Sequence, residues 1–433
     1  MVNYLRAAYR LYSIKKHLYW DRNRLLKHQT VELKRVINYA FNHVPYWHGK
    51  FKEIGLKPND IKTVEDLNKL PIMNKGEFRR NISQMVSTRF DRNMLKKVFT
   101  SGSTGQPLTV YLSPVEDEFR KARHLRANIF CGQKMRDIWV VITSPYRFEK
   151  ILRLSRLLRI YAMNTLSVYD SPSKQLISVA QLKPDVLEGY SSSVYLLARE
   201  VERQGVDMIK PRVMFSGAEL IDYSYRQLIE KVFDAPLYDQ YATVEFERMA
   251  WQCPDKTAYH IDADALIMQF VDRDGEEVSP GERGEVVCTS LFNYAMPLIR
   301  YAVGDLGVGS AEERCSCGVS FPLMKMVEGR SDSILYLSDG RPLSPMAFLY
   351  AMSLFRLFEY IEQYRVVQEK QDSLRIDIKR VDVNVDERSM ETELVEHIRR
   401  VLNLNSEIRV KVHFVDEIPV DKSGKLMKVI SKA

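Results

Sequence analysis

Eight consecutive residues carry the sharpest chemical signal in the chain: Thr100-Ser101-Gly102-Ser103-Thr104-Gly105-Gln106-Pro107. Glycines let a backbone approach a ligand closely, and hydroxyls with exposed amides donate to several phosphate oxygens at once, so the string suits a triphosphate. No Gly-Lys-Ser/Thr closes it and the residues that follow have strand character, which separates it from a Walker A loop. Read alone, it is equally a flexible, hydroxyl-rich turn. A second set is Cys253, His260, Cys315 and Cys317, three thiols and an imidazole whose donor atoms suit a tetrahedral structural zinc. Cys315 and Cys317 are closer than the usual Cys-x-x-Cys pair, and ordinary thiols are the alternative.

These residues need elements to position them. The string from Val98 to Ser113, VFTSGSTGQPLTVYLS, reads as a strand, a small-residue loop and a second strand. Before it, VELKRVINYAFN from Val31 to Asn42 repeats apolar residues at helical spacing, and Val44-Pro45-Tyr46 predicts a turn. Short apolar strands then alternate with helical patterns through IWVVITS, PDVLEGYSSSVYLLAREVERQG and RVMFSGAELID, which predicts an α/β sheet. From Cys253 to Leu306 strand signals dominate, with Asp274-Gly275 as a turn, so this portion reads as a β-rich subdomain. Beyond Gly329-Arg330 come a hairpin, a helical stretch, strands at YRVVQEK and LRIDIKRVDV, a helix at METELVEHIRRVL and a strand at EIRVKVHFVDEI. That pattern is a mixed domain of ordinary size.

Bulk composition bounds the rest. At 433 residues the chain exceeds what one hydrophobic core usually supports, so at least two domains are expected. No window approaches the roughly 20 apolar residues of a membrane span. Charges interrupt every apolar run of the N-terminus, which does not read as a secretory signal, and a cytoplasmic location is expected. Five cysteines, an odd number, argue against a disulfide framework. The net charge is +8, but 64 basic residues are scattered among 56 acidic ones without a basic stripe, and no nucleic-acid partner is expected. In the N-terminal segment Arg6, Arg10, Lys15, Lys16, Arg22, Arg24 and Lys27 interleave with Leu, Tyr and Trp20. That segment either lies peripherally on an anionic bilayer or packs as a helix on its own domain.

The Thr100 loop resembles the phosphate-binding loop of the acyl-adenylate-forming superfamily, and five further segments match that superfamily's motifs in its order. Ser216-Gly217-Ala218-Glu219 resembles the adenine-side motif, and Tyr241-Ala242-Thr243-Val244-Glu245 resembles the segment ending in a magnesium-associated glutamate. Tyr301-Ala302-Val303-Gly304-Asp305-Leu306 is similar to the ribose-binding motif, and Gly329-Arg330-Ser331-Asp332 to the interdomain hinge. Pro419-Val420-Asp421-Lys422-Ser423-Gly424-Lys425-Leu426 resembles the C-terminal loop that carries a catalytic lysine. INYAFNHVPYWHGKF, AMPLIRYAVGDLG and CSCGVSFP give the likeness its branch, that of the phenylacetate-CoA ligases and their CapK-like relatives of capsular polysaccharide biosynthesis. Similar Cys/His sets recur in this branch.

The resemblance implies a large N-terminal α/β adenylate-forming domain with a β-rich subdomain, residues 1–328, and a small mobile α+β C-terminal domain, residues 329–433. It implies that ATP and a small carboxylic acid give acyl-AMP and pyrophosphate, with the acyl group passing to CoA or to an amine or hydroxyl of a polysaccharide precursor. A non-catalytic nucleotide-binding protein is the competing reading, and the intact lysine loop opposes it. Carboxylate attack on the α-phosphate brings two anions together, so positive charge and a metal must stabilise it. By resemblance Lys425 supplies that charge, Glu245 helps hold Mg²⁺, and Thr100, Ser101, Gly102, Ser103, Thr104 and Gly105 bind pyrophosphate. Asp305 accepts from both ribose hydroxyls, Arg330 makes a further ribose or phosphate contact, and Ser216, Gly217, Ala218, Glu219, Tyr241, Ala242 and Thr243 line the nucleotide. The acid pocket is expected near Gly189-Tyr190-Ser191-Ser192, Phe215 and residues 238–241. The chain departs from the pattern at Gln106, where related ligases often have Lys, at Ala242 for Gly, at Val244 for Thr, and at Ala302-Val303 for Arg-Thr. Losing the Thr hydroxyl removes a contact worth about 1 kcal/mol.

Overall fold

A computed structural model describes residues 4–99, 108–145, 160–312, 314–381 and 386–433. The Thr100-to-Gly105 loop, with Gln106 and Pro107, lies outside the described residues. The chain divides into two compact units: Met1–Cys131 with Gln240–Val327, and Gly132–Asp239 with Glu328–Ala433. The last junction lies between Val327 and Glu328, and the segment from Glu328 groups with Gly132–Asp239.

In the first unit the helix Arg22–His43 starts where Asp21 accepts from the amide of Arg24, and its Leu33, Val36, Ile37 and Ala40 are fully buried. That is the spacing i, i+3, i+4, i+7 of one helical face. Val44 ends the helix as expected, but Pro45 opens a second helix, Pro45–Glu53, because its missing amide costs nothing at a first helical position. The strands Lys96–Phe99 and Thr109–Leu112 pair antiparallel, flanking the loop as the sequence suggests. Ser113 and Glu116 then form a capping box with Pro114 at the start of the helix Pro114–Phe130. No helix occurs between residues 247 and 312. The strands Glu247–Gln252, Tyr259–Ile261, Leu266–Val271, Arg283–Ser290 and Tyr301–Gly309 form the β-rich portion, with Gly275 at φ +84° in the expected turn.

A buried ionic cluster ties this unit together. Arg126 reaches Asp264 at 2.6 Å and Asp262 at 2.8 Å, and Arg248 reaches Asp262 at 2.9 Å, all with no side-chain exposure. His17 meets Asp264 at 2.8 Å and anchors the N-terminal helix Tyr4–Lys15 with its following turn Lys16–Tyr19. Such burial is tolerable only because every charge is paired.

In the second unit four parallel strands, Val213–Gly217, Val186–Tyr190, Trp139–Thr143 and Met163–Ser167, lie side by side in that order. Helices Pro172–Leu182, Ser191–Gln204 and Tyr223–Phe233 accompany them. The C-terminal segment adds the hairpin Leu335–Tyr336/Pro342–Leu343, the helix Pro345–Ser353 and the strands Ile361–Lys370, Ser373–Arg380 and Arg409–Phe414, with the helix Glu387–Val401. A last strand, Val429–Ser431, pairs parallel with Ile361–Lys370. One apolar core runs through this unit, from Val140 and Leu187 to Phe348, Ile376 and Leu394.

Candidate functional site

The first unit holds two of the expected groups together. Tyr241 ends a buried stretch of the strand Leu237–Thr243, and its hydroxyl donates to Asp305 Oδ2 at 2.7 Å. Burial and the neighbouring carboxylate raise the Tyr241 phenol well above its ordinary range, so it stays a donor. Tyr301 OH donates in the same way to Glu245 Oε1 at 2.9 Å, and the Tyr301 phenol is likewise raised by burial and by Glu245. Arg120, from the helix Pro114–Phe130, donates to the carbonyls of Val244 and Glu245 and fixes the turn that carries the glutamate. Ala242 is exposed and Thr243 half-buried, its Oγ1 accepting from the amide of Phe246 at 3.3 Å. Ala302, where the resembled ribose motif has Arg, lies in an apolar cluster with Ile72, Val271 and Val287, surroundings that would not solvate a guanidinium.

The Cys/His set also assembles in the first unit. The metal-binding atoms of Cys253, His260, Cys315 and Cys317 all lie within 4.8 Å of one another, with Cys253 Sγ to Cys315 Sγ 3.5 Å and Cys317 Sγ to His260 Nε2 3.3 Å. Burial pushes the His260 imidazole down to about 4, so it is neutral, the form that binds a metal. Bond lengths of about 2.0–2.3 Å to a central zinc set ligand atoms about 3.3–3.8 Å apart, and these two separations fall close to that.

The second unit holds the remaining groups. Ser216 Oγ donates to Asp239 Oδ1 at 2.6 Å. Ala218 takes φ +67°, a left-handed conformation that turns the chain sharply after Gly217. Glu219 is oriented by three donors: Ser192 N at 2.8 Å, Ser192 Oγ at 3.0 Å and, from the far end of the chain, Leu426 N at 2.6 Å. Burial raises the Glu219 carboxyl above its ordinary range, and these bonds oppose the rise. Lys425 is half-buried and directly precedes Leu426. Asp421 shapes its loop, accepting on Oδ1 from the amides of Ser423 at 2.7 Å and Lys425 at 3.0 Å. Gly424 stands at φ +83° where a Cβ would fall on Val168, so the loop is pressed against the strand end at Ser167. Arg330 directly precedes the short turn Ser331–Ser333 in extended backbone, and at Gly329, φ +119°, a Cβ would lie 2.8 Å from Pro345 Cγ.

Two groups escaped the sequence reading. Asp222 caps the helix Tyr223–Phe233 through the amide of Tyr225 at 2.7 Å, a role its position before Tyr-Ser-Tyr could have signalled. Lys428 lies 6% exposed with Nζ 2.6 Å from Asp222, and no local pattern distinguishes it from a solvated lysine.

Residues 347–432 match the family model of the CapK C-terminal domain. The phenylacetate-coenzyme A ligase of Pseudomonas putida is 26% identical over 428 residues, 94% of this chain and 93% of that protein. Protein CapK of Staphylococcus aureus is 23% identical over 292 residues, covering 65% of this chain and 63% of its own. The crystal structure of 2-hydroxyisobutyryl-CoA ligase in the postadenylation state superposes with a TM-score of 0.81 at 18% identity, over 96% of this chain and 91% of that one. Six ordered motifs, a likeness along nearly the whole chain and a shared fold agree. The chain is thus similar along nearly its whole length to a phenylacetate-coenzyme A ligase, over about two thirds of it to protein CapK, and it shares its fold with an acyl-CoA ligase.

Proposed function

We propose that this protein activates a carboxylic acid with ATP as an acyl-AMP and then transfers the acyl group to CoA. The observation that carries this reading is the pair of hydrogen bonds in the first unit, Tyr241 to Asp305 and Tyr301 to Glu245, which orients two carboxylates from separate motifs. Asp305 then accepts from ribose hydroxyls, and Glu245 is the carboxylate offered to Mg²⁺, which would offset the charge of the triphosphate. Residues 100–105 would hold the phosphates, residues 216–219, 241–243 and Arg330 the nucleoside, and Lys425 the charge developing at the bridging oxygen. The C-terminal domain, residues 329–433, would turn about residues 330–332 between the two half-reactions. Cys253, His260, Cys315 and Cys317 would hold one structural zinc, supported by their mutual approach within 4.8 Å.

A second reading replaces CoA by an amine or hydroxyl of a polysaccharide precursor, favoured by the CapK match of residues 347–432. A peripheral attachment to anionic membrane, from a cytoplasmic location, accompanies either. Among the described residues no helix is long and apolar enough to cross a membrane. Pyrophosphate release, screened over carboxylic acids with and without CoA, tests the proposal. Acid-dependent release with a CoA thioester as product supports the first reading. Acid-dependent release that ignores CoA and responds to an amine or hydroxyl supports the second. Release from no acid refutes both.

A further inference from the structure

We infer that Asp222 and Lys428 are positioning residues that set Lys425 against the nucleotide motif for the adenylation step, an inference that rests on the function proposed above. Lys425 is three residues from Lys428, and the backbone between them is held at each end. On one side the Leu426 amide donates to Glu219, the last residue of the adenine-side motif. On the other, Lys428 Nζ is buried 2.6 Å from Asp222 Oδ2 and 3.5 Å from the centre of the Tyr225 ring. Asp222 also accepts from Tyr364 OH at 3.2 Å and from the Tyr225 amide, so its place is fixed by three donors from three separate stretches of chain.

The core does not call for this ion pair. Leu426 and Val429 are buried beside it, and the Val366 amide donates to the Lys428 carbonyl at 2.7 Å, so the last strand is seated by its backbone and its apolar side chains. What the pair adds is a tie between the residue three beyond Lys425 and the one three beyond Glu219. A charged group misplaced by about 1 Å at a reacting centre can cost about a hundredfold in rate. A chain that buries a lysine and an aspartate so close to its proposed reactive lysine is therefore using them for geometry.

The test uses the full chain with Asp222→Asn and Lys428→Met combined. Asn keeps the helix cap, and replacing both charges leaves none unpaired, so the fold should survive with a melting temperature near that of the native protein. Adenylation in single turnover is expected to fall at least tenfold with ATP binding unchanged, while transfer from supplied acyl-AMP to CoA keeps its rate. Amide exchange over residues 421–428 is expected to quicken in the same variant. Adenylation at the native rate with unchanged exchange overturns the inference. So does an equal loss of both half-reactions with a lowered melting temperature, which would make the pair a stability element only. Should the native protein adenylate no acid, the proposed function fails, and the exchange measurement alone decides whether the pair anchors the loop.

Discussion

Lys425 and Asp305 sit at opposite extremes of legibility. Asp305 follows a glycine within a motif, and its partner Tyr241 lies in another motif 64 residues earlier, so both ends of the hydrogen bond could be named before their contact was seen. Lys425 could be named only by its Ser-Gly loop, and the groups that hold that loop, Asp421, Glu219 and Val168, come from three parts of the chain. Replacing Lys425 with Ala should lower acyl-AMP formation by orders of magnitude and leave ATP binding nearly intact, because its charge is needed chiefly in the transition state. Rapid-quench measurement of acyl-AMP together with calorimetry on ATP checks both halves. Asp305→Ala should weaken ATP or AMP binding by about 1.5–3 kcal/mol for each ribose bond to the carboxylate, and an unchanged dissociation constant would place the ribose elsewhere.

Elements with strong periodicity were readable because the pattern is local. The buried row of Leu33, Val36, Ile37 and Ala40 is written in the spacing itself, as is the hairpin at residues 335–343. The strand Val429–Ser431 was missed because three residues carry no alternation, and only its parallel partner Ile361–Lys370 makes it a strand. The N-terminal helix Tyr4–Lys15 and its following turn pack on their own unit through one side. Its Ile14 and the following Leu18 are buried, while Tyr9, Tyr12 and Tyr19 are 62–80% exposed beside the exposed Lys15 and Lys16. Aromatic and basic side chains on one face suit an anionic bilayer interface. Co-sedimentation with vesicles containing an anionic lipid should therefore retain the protein, with binding reduced by salt and by Lys15→Glu with Lys16→Glu. Equal recovery on neutral and anionic vesicles would count against attachment by this face. At Gly329, φ +119° and the closeness of Pro345 leave no room for a side chain. Gly329→Ala should destabilise the protein by about 1–3 kcal/mol, read as a lowered denaturation midpoint.

Across the whole molecule, the α/β class was legible in the sequence, but the grouping of residues 132–239 with 328–433 depends on a shared core that no local pattern reveals. The charges of Arg123, Arg126, Arg248, Asp262 and Asp264 read as scattered along the chain, yet they converge in a single buried cluster. The four Cys/His residues, by contrast, were legible by donor type, since few other combinations suit a tetrahedral site. Metal analysis of purified protein should find about one zinc per chain, reduced by Cys315→Ser, and folded protein free of metal would refute the assignment. Attack of a substrate carboxylate on the α-phosphorus of ATP, the first step proposed for this protein, has a direct isotopic test. The protein is given ATP, CoA and an accepted acid whose carboxylate oxygens are both ¹⁸O, and the nucleotide product is weighed by mass spectrometry. AMP carrying one ¹⁸O atom is expected, left behind when the bond between the acyl carbon and the bridging oxygen is cleaved. Unlabelled AMP, or ADP with inorganic phosphate, would contradict it.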